Sequence, residues 1–220
     1  MNLPEIIQSV TVYALPVIFA ITLHEAAHAY AAKYFGDLTA YSQGRMSLNP
    51  IKHIDPLGTI LIPLAVFTLS QGQFFFGYAK PVPVNFSALR NPRKQMAWVA
   101  LAGPASNFVM AFGWMVLGIL LGMFGINEQF PYEVARAGVI ANLLFFALNL
   151  LPIPPLDGGR IMTSILPPRM GYQFAKIEPY GFYILIGLML LNVLSLFLVP
   201  VMMAAKFALD LLATPLTIFI

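Results

Sequence analysis

Uninterrupted apolar runs decide most of what this chain can fold into: residues 56–79, 97–127, 137–156 and 179–205 contain no Asp, Glu, Lys, Arg or His. A helix needs about 20 such residues to cross roughly 30 Å of hydrocarbon at about 1.5 Å per residue, and these runs supply them. A further run, residues 6–32, is broken only by His24, Glu25 and His28, which places those groups at membrane depth. Charged residues make up only 10% of the 220 positions, against roughly 25% in a soluble domain. The expectation is an all-α polytopic membrane protein with about five to six transmembrane helices.

The first run should stop near Lys33 and Gly36-Asp37, with a cation in its last turn. A polar link over 34–55 follows. Residues 56–71 contain Pro63 and either cross fully or form a re-entrant dip. They lead into GQFFFGYAKPVPVNF at 72–86, whose aromatics, Val82, Val84 and prolines favour extended over helical backbone. A short extended or re-entrant β segment is expected there, with the amides of Val82 and Val84 left to pair with a bound chain. Helices are expected over 96–124 and 133–151, the second broken by Pro152, Pro154 and Pro155. A short helix should restart at Asp157, and a last span should cover 179–199 with Pro200 kinking or ending it. No repeat divides the chain, so 1–220 is expected to form one membrane domain.

There is no cysteine, so a bound metal would have to use His or carboxylate. The N-terminus, MNLPEIIQ, lacks the positive stretch and cleavage site of a signal peptide, and the first run is expected to stay as a span. The net charge of +3 does not suggest nucleic acid as a partner. Lys and Arg instead mark sidedness: the links 33–55, 80–95 and 157–178 carry three, four and three of them, whereas 124–136 carries one with two Glu. The first three links should face the cytoplasm of a cell membrane.

The sharpest chemical signal is His24-Glu25-Ala26-Ala27-His28, an HExxH pattern on the first apolar run. Residues at i and i+4 share a helical face, so both imidazoles can reach one ion while Glu25, about 100° away, can exchange protons with the attacking water. Zinc favours such nitrogen and oxygen ligation and leaves a position open for chemistry. A pair of satisfied core histidines is the plain alternative. It loses ground here because ionisable groups in a membrane helix cost several kcal/mol, about 2.5–3.5 on insertion scales, unless partnered. His28 and His24 lie roughly 8 and 14 Å inside Lys33, at about 1.5 Å per residue. For a third ligand the later spans offer Asp157, which follows backbone that prolines have forced out of helix; such backbone survives at membrane depth only inside protein or beside a wet cavity. Its alternative role is an N-cap for the helix beginning there.

Three motifs, HEAAH at 24–28, GPASN at 103–107 and NLLPIPPLDG at 149–158, resemble in kind and order those of the site-2 protease family of intramembrane zinc metalloproteases. The resemblance covers most of the chain and implies hydrolysis of peptide bonds within or near transmembrane segments of membrane-protein substrates. It implies one zinc ion held by His24, His28 and Asp157, Glu25 as general base and acid, and Asn149 near the scissile carbonyl. It resembles the compact form of the family, without PDZ-like or CBS-like modules. Asn107 reads best as an interhelical hydrogen bond, and His53, in a polar link, as a surface or capping residue, with a fourth metal contact as the alternative. A rival reading is an ion transporter or metal-binding scaffold using the same polar residues; the motif order speaks for the protease.

Overall fold

Small residues set how closely the helices of this chain approach. In the computed structural model, which describes residues 3–61, 65 and 80–217, helix α1 spans Leu3–Tyr34 and turns Ala20, Ala26, Ala29 and Ala32 inward, each at most 1% exposed. It ends as its sequence foretells. The Asp37 amide bonds to the Ala32 carbonyl (2.9 Å) and the Gly36 amide to that of Lys33 (3.1 Å), a Schellman closure. The Arg90 guanidinium adds bonds to the freed carbonyls of Tyr34 and Phe35.

Helix α2, Pro92–Met123, and helix α3, Gln129–Asn149, pack against α1 and each other. The polyproline break follows, and helix α4, Asp157–Ile165, begins at the first residue after it, as expected. Gly158 and Gly159 fold back onto this break so tightly that a Cβ would lie 2.3 Å from the Leu150 carbonyl oxygen and the Pro154 nitrogen respectively. Arg93, at the start of α2, donates to the carbonyls of Ser164 (3.0 Å) and Leu166, tying the C-terminus of α4 to α2. Helix α5, Pro168–Ala175, completes the link.

The final apolar stretch differs from expectation. It is not one span over 179–199: helix α6, Gly181–Leu190, stops, and helix α7, Val193–Thr217, starts again after Asn192. Asn192 sits at φ 55°, a left-handed conformation that Asn tolerates better than other side-chain-bearing residues, and the Leu191 and Asn192 amides close onto Gly187 and Met189. Pro200 lies within α7. Helix α7 packs on α2 and α3 through Ala111, Leu143, Ala205 and Leu209, with Phe108, Met115 and Phe146 around them.

Among the described residues, four helices are long and apolar enough to cross a membrane: Ile7–Tyr34, Pro92–Met123, Gln129–Asn149 and Val193–Leu216. Large apolar side chains such as Val109, Leu196 and Phe207, each at least 68% exposed, cover the outside, as suits lipid. The chain is thus an all-α polytopic membrane protein. Most of the expected segment 56–71, and residues 72–79 of the expected extended segment, lie outside the described residues; Pro56–Leu61 forms a short π-helical turn. Residues 80–85 have no helical or ladder structure. They are held by side chains: Arg45 donates to the carbonyls of Lys80 (2.9 Å) and Pro81 (3.2 Å), and Asp37 accepts from the Asn85 amide (2.7 Å).

Candidate metal centre

The i, i+4 spacing on α1 brings the Nε2 atoms of His24 and His28 to 3.0 Å from one another. From the start of α4, Asp157 Oδ2 stands 3.2 Å from each. Asp157 is the first residue of α4, after the N-cap position Leu156, and its carboxylate is turned to the imidazoles. All three residues are buried, at 9% exposure or less.

The hydrogen bonds behind the imidazoles decide what faces the gap. His24 Nδ1 lies 2.6 Å from Asn107 Oδ1 and His28 Nδ1 lies 2.8 Å from the Val99 carbonyl oxygen. Both partners can only accept, so both Nδ1 atoms carry hydrogens, and a ring in its neutral form then presents its Nε2 lone pair to the gap. Asp157 Oδ2 is buried without a hydrogen-bond donor. With both rings neutral, three lone pairs converge at 3.0–3.2 Å, which is repulsive unless a metal ion or a proton sits among them. Tetrahedral ligands at about 2.0–2.1 Å from zinc lie about 3.3 Å apart, so the donor set matches one such ion in type and spacing.

Gly103, in the GPASN stretch of α2, faces both imidazoles. A Cβ there would fall 2.4 Å from His28 Nε2 and 2.6 Å from His24 Cε1, so only glycine lets α2 close over the pair. A cavity of about 130 Å³ opens beside them. Glu25, Asn149, Val82, Phe86 and Arg160 are among its lining residues, so four elements distant in sequence meet there. Asn149 donates through Nδ2 to the Phe145 carbonyl (3.0 Å) and keeps a second N–H. The Arg160 guanidinium sits 5.2 Å from the centre of the Phe86 ring.

Two expectations need correction. The Val82 amide is not left for pairing with a bound chain: it donates to Glu25 Oε2 at 2.6 Å. A half-buried carboxylate next to extended backbone takes the nearest amide, because an ionised group gains most from a hydrogen bond. His53 is not at the surface. It is fully buried, its ring donates to the Ser47 carbonyl (2.7 Å), and its backbone amide closes the Pro50–Lys52 turn (2.8 Å), so it caps that turn and does not join the group formed by His24, His28 and Asp157. The Val99 carbonyl has no sequence signal, since every residue carries one. Asn142, which contacts Asn107, was missed although it stood in the apolar run 137–156, seven residues before Asn149 and on the same helical face.

A family model described as peptidase family M50 matches residues 133–192. A Bacillus subtilis (strain 168) protein named "Putative zinc metalloprotease YwhC" is 39% identical over 197 residues, 87% of this chain and 86% of the relative. "Zinc metalloprotease MJ0392" of Methanocaldococcus jannaschii is 25% identical over 153 residues, 70% of this chain but 34% of that longer relative. No solved structure matches.

Proposed function

The chain belongs to peptidase family M50, the site-2 protease family of zinc metalloproteases, and from that premise we propose that it is an intramembrane endopeptidase. Its substrates are membrane proteins, cut within or near their transmembrane segments. Residues 1–220 act as one catalytic domain in the cell membrane, with the site open to the cytoplasm. The observation that carries this reading is the convergence of His24 Nε2, His28 Nε2 and Asp157 Oδ2 at 3.0–3.2 Å, with Glu25 beside them, inside a bundle of apolar helices.

His24, His28 and Asp157 hold the zinc. When bound, the ion supplies Lewis acidity at the scissile carbonyl and eases ionisation of water. Glu25 takes the proton from the attacking water and passes it to the leaving amine. The Val82 amide fixes one carboxylate oxygen, Oε2, and so leaves Oε1 for the proton. Asn149 has a spare amide N–H on the cavity wall with which to donate to the substrate carbonyl oxygen as it gains charge. The substrate helix must unwind first, since an intact helix keeps its carbonyls in internal bonds; segments with helix-weakening residues are preferred.

The test pairs metal analysis with cleavage. Wild type should carry zinc and cut a model transmembrane substrate. Glu25→Gln should keep the zinc and lose cleavage by about 10²–10⁴-fold. Normal turnover in Glu25→Gln overturns the assignment of Glu25, and a zinc-free active protein overturns the reading as a whole.

A further inference from the structure

We propose that Asn142, on α3, is a positioning residue for zinc binding: it locks the Asn107 amide in the one orientation that forces His24 to present a free Nε2. The inference rests on the metal site proposed above and adds a residue 15 positions from any ligand in sequence.

The chain of bonds starts from an acceptor that cannot be misassigned. Asn142 donates through Nδ2 to the backbone carbonyl of Gly138 (2.9 Å), so its Oδ1 points away from that carbonyl, toward α2. There it accepts from Asn107 Nδ2 at 3.0 Å. The other hydrogen on that nitrogen goes to the Ala20 carbonyl on α1 at 3.2 Å, a second unambiguous acceptor. Asn107 Nδ2 is thus held between two oxygens, and its own Oδ1 is left facing His24 Nδ1 at 2.6 Å. Both asparagines are 0% exposed, so no water competes for these bonds. The order runs from α3 to α2 to α1, and each amide dictates the next.

Flipping Asn107 would set its Oδ1 against two acceptors and turn an N–H toward His24 Nδ1. His24 would then have to accept at Nδ1 and carry its hydrogen on Nε2, the atom that faces His28 and Asp157. That tautomer cannot ligate. With Asn142 present, the flip loses two bonds and creates two oxygen–oxygen contacts. Without it, only the longer 3.2 Å bond to Ala20 opposes the flip.

The experiment uses full-length protein with Asn142→Leu and Asn142→Ala, the second in case the larger side chain disturbs α2 packing. Zinc affinity is read by competition with a chelator. Loss of a partner that orients a metal-binding histidine typically costs 10–100-fold, and that is the expected weakening. The second readout is the ¹⁵N spectrum of histidine-labelled, zinc-free protein. The chain holds only three histidines, so the His24 ring can be assigned by its loss in His24→Ala. Wild type should show His24 protonated at Nδ1, and the Asn142 variants a population protonated at Nε2. Wild-type zinc affinity together with an unchanged His24 signal in either folded variant overturns the inference. Zinc binding that survives His24→Ala overturns the metal site itself, so the two failures are told apart.

Discussion

Replacing Gly103 by alanine adds a single methyl group, and its consequence can be worked from the distances. The new Cβ would meet His28 Nε2 at 2.4 Å, His28 Cε1 at 2.5 Å and His24 Cε1 at 2.6 Å. An ordinary contact needs about 3.5 Å, so the imidazoles or the α2 backbone must move by about 1 Å. Metal–ligand distances tolerate only about 0.2 Å. Both histidines are in addition tied at Nδ1, to Asn107 and Val99 on the same helix as Gly103. If α2 retreats it carries those partners with it, and if it stays the rings are displaced from their gap; either way the two Nε2 atoms no longer meet Asp157. Zinc affinity of Gly103→Ala should fall by at least about 10²-fold, more than for a lost orienting hydrogen bond. The zinc-free protein should lose only the cost of an overpacked methyl, about 1–3 kcal/mol, with helical content kept. Chelator competition measures the first quantity and thermal unfolding of the metal-free protein the second. An alanine variant that binds zinc as tightly as wild type would refute the packing of α2 against the imidazoles.

Asp157→Ala should remove bound zinc, measured by elemental analysis, while α4 stays folded because Arg93 and the Gly158-Gly159 contacts hold it in place. Val82→Pro deletes the amide that bonds Glu25 Oε2; zinc should remain and cleavage of a transmembrane substrate fall by about 10–100-fold, the scale of one hydrogen bond to a charged group. Arg93→Ala frees the end of α4 and should lower the unfolding free energy by about 1–2 kcal/mol, read from denaturant curves. In this cysteine-free chain, Ser87→Cys should react only with reagents on the cytoplasmic side and Asn127→Cys only with reagents outside.

How much of this was legible follows from where the information sits. His24 and His28 share a helix, so a spacing of four states their proximity outright. Asp157 is legible because the three prolines before it rule out helix and mark backbone that must line something. The Schellman closure at Gly36-Asp37 follows from local residue types, as does the restart of helix at Asp157. The break at Asn192 was not legible: it interrupts an unbroken apolar run, and only the left-handed backbone of one Asn marks it. The bond from Val82 to Glu25 was hidden for another reason. It uses a backbone amide, which no residue type announces, and residues separated by 57 positions. Gly103 stands in the GPASN motif, but that it packs against the imidazoles was not readable, since that depends on the register between α1 and α2. Burial of His53 likewise depends on tertiary contacts, although its link reads as polar.

Where the bond is cut tests the central claim most directly. The purified protein is reconstituted in lipid vesicles with a single-span substrate whose apolar segment contains helix-weakening residues, and the products are mapped by mass spectrometry. The expected result is a cut within or at the edge of the apolar segment, present with wild type and absent with Glu25→Gln and Asp157→Ala. Cleavage confined to the water-soluble tails of the substrate, or equal cleavage by the Glu25→Gln protein, would contradict it.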